Sequence, residues 1–362
     1  MKDLTHTHYY LGFNLVAGLG PVRQQRLVEH CGSLQAAWYA PRDDIIAAGI
    51  DGKTATALVK ARNDLDLEAV MERVHQADVH IVTIEDEDYP RLLAQAPQAP
   101  PLLYVRGALS PNDDWALAVV GTRSPTTYGK EATRHVVTGL AQNGVTIVSG
   151  LAIGIDTIAH TAALEAGGRT IAVLGCGVDI FYPERNKKLA QQITEYGAII
   201  SDYPLGTRPH AANFPPRNRI ISGLTLGALV VEAGEQSGAL ITVNFALEQG
   251  RDVFAIPGSI FNRTSAGTHR LIRNGACLTT SAEDILEELN LTTLTVQQEI
   301  ATALPVDPTE AAVLEYLTKE PQHIDALSRT SGMPVAQLSS TLAMLELKGY
   351  VRQAGNMEYV RR

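Results

Sequence analysis

Between residues 116 and 280 the chain carries seven short, continuous apolar runs: ALAVVG (116–121), VTIVSG (145–150), TIAVLG (170–175), AIIS (198–201), ALVVEA (228–233), DVFAIPG (252–258) and ACLTT (276–280). Runs of this length without polar alternation are strands buried on both faces, an environment found in parallel sheets covered by helices on both sides. The segments between them supply the covering. KEATRHVVTGLAQNG, IDTIAHTAALEAGG, PERNKKLAQQITEYG and LITVNFALEQGR are apolar at helical spacing, and Gly144, Gly167, Gly197 and Gly250 stand where those helices should stop. This alternation predicts an α/β protein with a doubly wound, mostly parallel sheet. VHIVTI (79–84) and PLLYVRG (101–107) lead into it across a proline-rich stretch from Pro90 to Pro101, so the sheet domain is drawn at 77–290.

The flanks read differently. Residues 1–76 are short helices broken at Gly18-Leu19-Gly20-Pro21 and at Ala48-Gly49-Ile50-Asp51-Gly52-Lys53, a small helical domain of SAM-like or helix-hairpin-helix-like outline. Its glycine turns either present backbone amides to a phosphate or simply cap helices; the few paired bases around them favour capping. After a linker at 291–308, residues 309–362 give three amphipathic helices and two strands around Ala354-Gly355-Asn356, the outline of a winged helix. Leu338, Leu342 and Leu345 would face inward on the third helix, leaving Gln337, Ser339, Ser340 and Thr341 outward. That outward face has no base, unlike a helix built to grip duplex DNA.

Charge narrows the classes of partner. The 362 residues carry a net charge of −9, which excludes a whole-surface grip on duplex DNA, yet residues 116–280 hold 14 Lys plus Arg against 11 Asp plus Glu. A locally basic site within an acidic chain suits focused binding of a polyanion. No run approaches the roughly 18 apolar residues of a membrane span. MKDLTHTHYY does not follow the plan of a secretory signal, and Cys31, Cys176 and Cys277 are too few and scattered for a disulfide framework or a cysteine zinc site. The expectation is a cytoplasmic protein without membrane contact.

In a doubly wound sheet, ligands sit beyond the carboxyl ends of the strands. There the chain places Gly121-Thr122-Arg123-Ser124-Pro125, Ser149-Gly150 through Gly154 to Asp156, Gly175-Cys176-Gly177-Val178-Asp179, and Glu232-Ala233-Gly234-Glu235-Gln236-Ser237-Gly238. Glycines let a backbone approach an oxyanion, the following helix N-terminus supplies amides and a favourable dipole, and Arg123 adds a fork of donors. Residues 206–223 add Arg208, His210, Arg217 and Arg219 with no acid between Asp202 and Glu232, and Phe214 among them. Phe214 either stacks on a base, as aromatics do in single-strand binding, or anchors the start of a helix with Arg219 in a structural ion pair. GxGxxG after the first strand and GxxxxGK[ST] are both missing, so no dinucleotide or ATP cofactor is expected. No nucleophile–base pair, catalytic carboxylate pair or metal-ligand motif is present. His135 and His160 read as surface or packing residues, and Asp156 and Asp179 as caps of the helices they begin.

VVGTRSPTTYGK, VSGLAIGIDTIAHTAAL, VLGCGVDIFYPERNKKL, NFPPRNRIISGL and VVEAGEQSGALITVNFALEQGRDVFAIPG together resemble the DNA-processing protein A (DprA/Smf) family over about residues 77–290. The resemblance implies an extended Rossmann-like core that binds single-stranded DNA without catalysis. It further implies a homodimer that protects incoming DNA and loads RecA recombinase in natural transformation. Carried over by motif, the binding residues would be Gly121, Thr122 and Arg123, then Phe214, Arg217, Asn218 and Arg219 of FPxRNR, with Ser237 and Gly238 of the SGAL turn. Ser149, Gly150, Gly154 and His210 complete the rim read from the loops. His210-Ala211-Ala212-Asn213 stands where family members often carry a lysine. The sheet is also similar to LOG-like phosphoribohydrolases, but Leu240 and Ile241 occupy the turn where that chemistry wants an acid. A third reading, a regulator acting through the winged helix, has the base-free outward face against it.

Overall fold

The computed structural model describes residues 4–291, 308–318, 322–347, 350–355 and 357–361, and the chain divides into two compact units, one ending at Ile285 and the other beginning at Leu286. The first unit is built on nine strands: β1 (His80–Thr83), β2 (Leu102–Gly107), β3 (Ala116–Val120), β4 (Thr146–Ser149), β5 (Thr170–Val173), β6 (Ala198–Ser201), β7 (Gly227–Val230), β8 (Asp252–Ala255) and β9 (Cys277–Leu278). They lie in the order β1-β2-β6-β5-β4-β3-β7-β8-β9. β2 runs antiparallel to both β1 and β6, and every other pairing is parallel. Every residue of β3 to β7 is buried, as continuous apolar runs require. Several strands end short of their apolar run, because its last residues leave the sheet to become rim loops.

Side-chain alternation divides the core into two layers. Leu102, Tyr104, Ala172 and Ile199 face one layer, while Leu103, Val105, Ile171, Val173 and Ile200 face the other. The first layer is continuous with the N-terminal helices α1 (His6–Asn14), α2 (Pro21–Cys31), α3 (Leu34–Tyr39), α4 (Arg42–Ala47), α5 (Gly52–Asp64) and α6 (Leu67–Gln76). Phe13, Leu27, Trp38 and Leu58 are buried in it. Tyr104 donates to Asn14 Oδ1 at 2.9 Å, and Asn14 Nδ2 donates to the Asp202 carbonyl at 3.0 Å. The helical segment read as a separate domain at 1–76 is therefore one layer of a unit that runs to Ile285. Its two glycine turns answer each other: Arg23 donates to the Gly18 carbonyl at 3.0 Å and pairs with Asp51 at 2.9 Å.

The remaining helices of the sheet region are α7 (Arg91–Ala94), α8 (Thr127–Gln142), α9 (Ile155–Glu165), α10 (Lys187–Tyr196), α11 (Phe214–Gly223), α12 (Ala239–Glu248), α13 (Ala266–Arg273) and α14 (Ala282–Glu288). Gly144, Gly167 and Gly250 take positive φ just after α8, α9 and α12, so the predicted stops are real left-handed caps. In the second unit, α15 (Pro308–Tyr316), α16 (Ile324–Ser331) and α17 (Val335–Leu347) pack with a three-stranded antiparallel sheet of β10 (Gln322–His323), β11 (Val351–Gly355) and β12 (Glu358–Arg361), a winged helix. Leu338, Leu342 and Leu345 are fully buried as expected. Thr341, expected outward, turns in and donates to the Gln337 carbonyl at 2.9 Å, because a helical hydroxyl can bond back one turn. The linker read at 291–308 lies outside the described residues except for its two ends. Among the described residues no helix is long and apolar enough to cross a membrane.

His160 on α9 is fully buried, and its Nδ1 lies 2.7 Å from Thr170 Oγ1, whose own proton goes to the Ile147 carbonyl at 2.6 Å. Nδ1 must therefore be the protonated nitrogen, which leaves Nε2 a buried acceptor without a partner. Burial, with Arg217 nearby, pushes the imidazole pKa down to about 3. Below the ordinary value near 6.5 the unfolded chain takes up a proton that the folded chain refuses. Stability supplied by the neutral ring is whole above about pH 6.5 and is lost as pH falls toward 3, at up to about 1.4 kcal/mol per pH unit. Denaturant titrations between pH 6.5 and 4 should show a shallower acid limb for His160→Gln than for the parent.

Candidate nucleic-acid interface

The chain order reverses between β3 and β7, and a cleft of about 790 Å³ opens over the carboxyl ends of the sheet there. Gly121 to Arg123 form one side, Phe214 to Asn218 another, and Ser237 to Thr242 the third. The first of these loops is held rigidly from below. Thr122 N donates to the Glu232 carbonyl at 2.8 Å, while Thr126 N and Oγ1 donate to the buried Glu232 carboxylate at 2.9 and 2.5 Å. Thr126 Oγ1 also caps α8 by accepting from Gly129 N at 3.1 Å. Gly154 has φ +92°, and a Cβ there would stand 2.3 Å from the Thr122 carbonyl, so only glycine lets the β4 loop close on the β3 loop. Arg123 is left exposed at the lip of the cleft.

Beneath the rim lies a buried polar knot. Arg217 is almost wholly buried and its Nη1 donates to the Gly150 carbonyl at 3.1 Å. Asp156 accepts from Gly150 N and Ala152 N, both at 3.2 Å. Desolvation holds the Arg217 guanidinium down at about 10 against the opposing pull of Asp156, and burial raises the Asp156 carboxyl while Arg217 resists. A side chain on Gly150 would meet both groups, at 2.7 Å from Arg217 Nη2 and 2.9 Å from Asp156 Oδ2.

The structure corrects two capping assignments. Asp156 lies in the first turn of α9 but ties the Gly150–Ala152 loop, and Asp179 begins no helix: it accepts from Gly206 N at 2.9 and 3.0 Å, joining the β5 loop to the following segment. Both carboxylates are drawn to loop amides because those amides have no ladder partner.

The four-base cluster read at 206–223 divides in the same way. Arg219 is spent on Asp202, at 2.8 Å in a largely buried pair, and Arg217 on the knot. Arg208 and His210 are exposed, with His210 Nδ1 accepting from Ala212 N at 3.3 Å. Ser149 is fully buried and donates to the Val119 carbonyl at 2.7 Å, so its hydroxyl is turned away from the cleft. Gly150 is buried beside it, whereas Asn218, Ser237 and Gly238 line the opening. Ser237 Oγ accepts from Ala239 N at 3.3 Å, and Gly238 faces open space at the N-terminus of α12, where the helix dipole favours an anion.

Phe214 opens α11 and packs over Gly175, where a Cβ would stand 2.9 Å from the ring. It is half-buried, and the structural alternative holds: Phe214 starts the helix, with Arg219 in an ion pair to Asp202. Its ring stacks on Tyr182 with centroids 5.8 Å apart and planes 26° from parallel, and Arg217 Cζ lies 5.9 Å from its centre. Tyr182 is 49% exposed, which makes it the more open aromatic of the pair. Sequence reasoning passed over Tyr182; the Phe181-Tyr182-Pro183 run after the third strand of the parallel core was the available signal. Among the described residues Asp156 is the one carboxylate lining the cleft, and it is bound to loop amides.

Fold and site together define an extended Rossmann-like protein with a cleft at its switch point that carries an exposed arginine and an aromatic pair. Comparison with known proteins places it within that class. The family model for DNA recombination-mediator protein A matches residues 80–290, and that for the DprA winged helix domain matches 297–357. Protein Smf of Synechocystis sp. is 36% identical over 393 residues, covering 98% of each chain. The structure of DNA processing protein A from Streptococcus pneumoniae superposes with a TM-score of 0.69 at 37% identity, covering 80% of this chain and 99% of that one. The Helicobacter pylori protein, whose structure was described with its single-stranded DNA binding mode, gives 0.53 at 30% identity over 59% of this chain and 98% of that one. The chain belongs to the DNA recombination-mediator protein A family, that of the DprA and Smf proteins.

Arg217→Met should lower unfolding free energy by about 1–3 kcal/mol, because the Gly150 carbonyl loses its buried donor and the half-buried Asp156 carboxylate loses its neighbouring positive charge. Asp156→Asn in the same chain should return a good part of the loss in denaturant unfolding. Full stability in the single variant would free Arg217 for a ligand instead.

Proposed function

We propose that this chain binds single-stranded DNA in the switch-point cleft and does no chemistry on it. Arg123 and the amides at the N-termini of α9 and α12 take phosphates, and a base stacks on the Tyr182–Phe214 pair. The observation that carries this reading is the pairing of an exposed arginine with an exposed aromatic stack on one cleft, where stacking gives sequence-tolerant affinity and the charge tracks the backbone. Gly121, Thr122 and Gly154 serve by holding Arg123 in place, and Ser149, Gly150, Arg217 and Arg219 by supporting the floor. His210, Asn218, Ser237 and Gly238 are offered to the strand directly. The single-stranded DNA binding mode of the Helicobacter pylori relative supports the same ligand. Family membership supports the wider role in processing DNA for transformation. The proposal extends to a cytoplasmic homodimer that protects the incoming strand and loads RecA onto it, on the resemblance of the motifs alone.

Phe214→Ala and Tyr182→Ala should each cost roughly 1–3 kcal/mol of oligonucleotide affinity, measured by fluorescence anisotropy. Arg123→Ala should weaken binding and reduce the salt dependence by about 0.7 log unit per decade of salt, the share of one phosphate on a single strand. Arg123→Ala and Tyr182→Ala should unfold like the parent, and Phe214→Ala, which removes a half-buried ring, should be less stable but folded at the temperature of the assay. Undiminished affinity in all three, or equal affinity for duplex and single strand, would reject the site. Deleting residues 309–362 should leave single-strand binding in place; its disappearance would hand the role to the winged helix.

A further inference from the structure

Arg123 belongs to more than one depression. It lines the main cleft, a small pocket beside Tyr182, Pro183 and Phe214, and a second groove of about 530 Å³ on the far side of the β3 loop. Ile153 is shared by the small pocket and this second groove, so the surface is continuous from the aromatic pair, past Arg123, to Lys130 and Arg185. Lys130 stands in the second turn of α8, and Arg185 in the single 3-10 turn before α10. Both are exposed, and neither side chain makes a hydrogen bond or ion pair among the described residues. The groove lining holds three bases and no carboxylate. The acid beside Lys130 in sequence, Glu131, is turned to Arg134 at 2.6 Å. The floor is firm: Asn186 is buried and donates to the Leu151 carbonyl and to Thr157 Oγ1, both at 2.9 Å.

We infer that this groove is a second backbone subsite, in which Lys130 and Arg185 hold phosphates of the nucleotides that leave the main cleft past Arg123. Its ligand is a phosphodiester strand continuous with the one in the cleft, and it has no aromatic platform, so it contributes charge without base contact. Two unpaired cations on a carboxylate-free lining raise the local potential where a strand emerging from the cleft must pass. The inference rests on the single-stranded DNA reading of the cleft, and it makes affinity depend on strand length.

The test compares an oligothymidylate of about 5 nucleotides, short enough for the cleft alone, with one of about 15. In Lys130→Ala/Arg185→Ala the longer strand should bind about tenfold more weakly, with a salt slope shallower by about 1.4, while the shorter strand is unchanged. Lys187→Ala/Lys188→Ala, which removes two exposed lysines that do not line the groove, should leave both strands bound as in the parent. No loss for either strand in the first variant, or an equal loss for both, overturns the groove. An equal effect of the second variant on the long strand does so too, since it would reduce the result to general surface charge. Failure of the parent to bind either strand would instead overturn the reading of the cleft.

Discussion

The rim geometry depends on one buried cation. Arg217 reaches from α11 under the β4 loop to the Gly150 carbonyl, beside an Asp156 carboxylate that holds the same loop by its amides. A guanidinium removed from water must be compensated by nearby polar groups, and these surroundings fix α11 against the β4 loop and α9. Phe214 begins the helix that Arg217 anchors, and Gly154 closes the loop that Arg123 rides on. The aromatic stack and the exposed arginine thus owe their relative placement to a contact buried beneath the rim. Glu232 does the corresponding work on the other side, holding the start of α8 and the β3 loop together.

This arrangement separates two uses of positive charge. Arg217 and Arg219 are absorbed by carbonyls and carboxylates of their own chain, whereas Arg123, Lys130, Arg185 and Arg208 remain at the surface. Surface cations cost little to keep and act over a Debye length, so a chain of net charge −9 can still offer an attractive track over one rim. Buried cations buttress that track and do not add to it.

Much of the sheet was legible because its signal is local and repetitive. Each apolar run marked a strand, and glycines marked three left-handed helix ends, since burial on both faces and positive φ leave few residue choices. The rim was legible as a set of glycine loops at strand ends, and family motifs named most of its residues. Less visible was the division of labour within it. Ser149, Arg217 and Arg219 look the same in sequence whether they face a ligand or a carbonyl, and Tyr182 lies more than thirty residues from the Phe214 it stacks upon. The N-terminal helices looked detachable because their own periodicity is complete; contacts far apart in sequence, a shared apolar layer and Tyr104 meeting Asn14 across 90 residues, make them part of the sheet unit.

The sequence by itself determined the class of fold, the positions of the loops and the family, because periodicity, glycine placement and long motifs are written along the chain. Tertiary structure alone decided which cations are free, which carboxylates are committed and which aromatics share a face. Those outcomes depend on who is nearest in space and on what water can still reach, and neither is a property of neighbours in sequence.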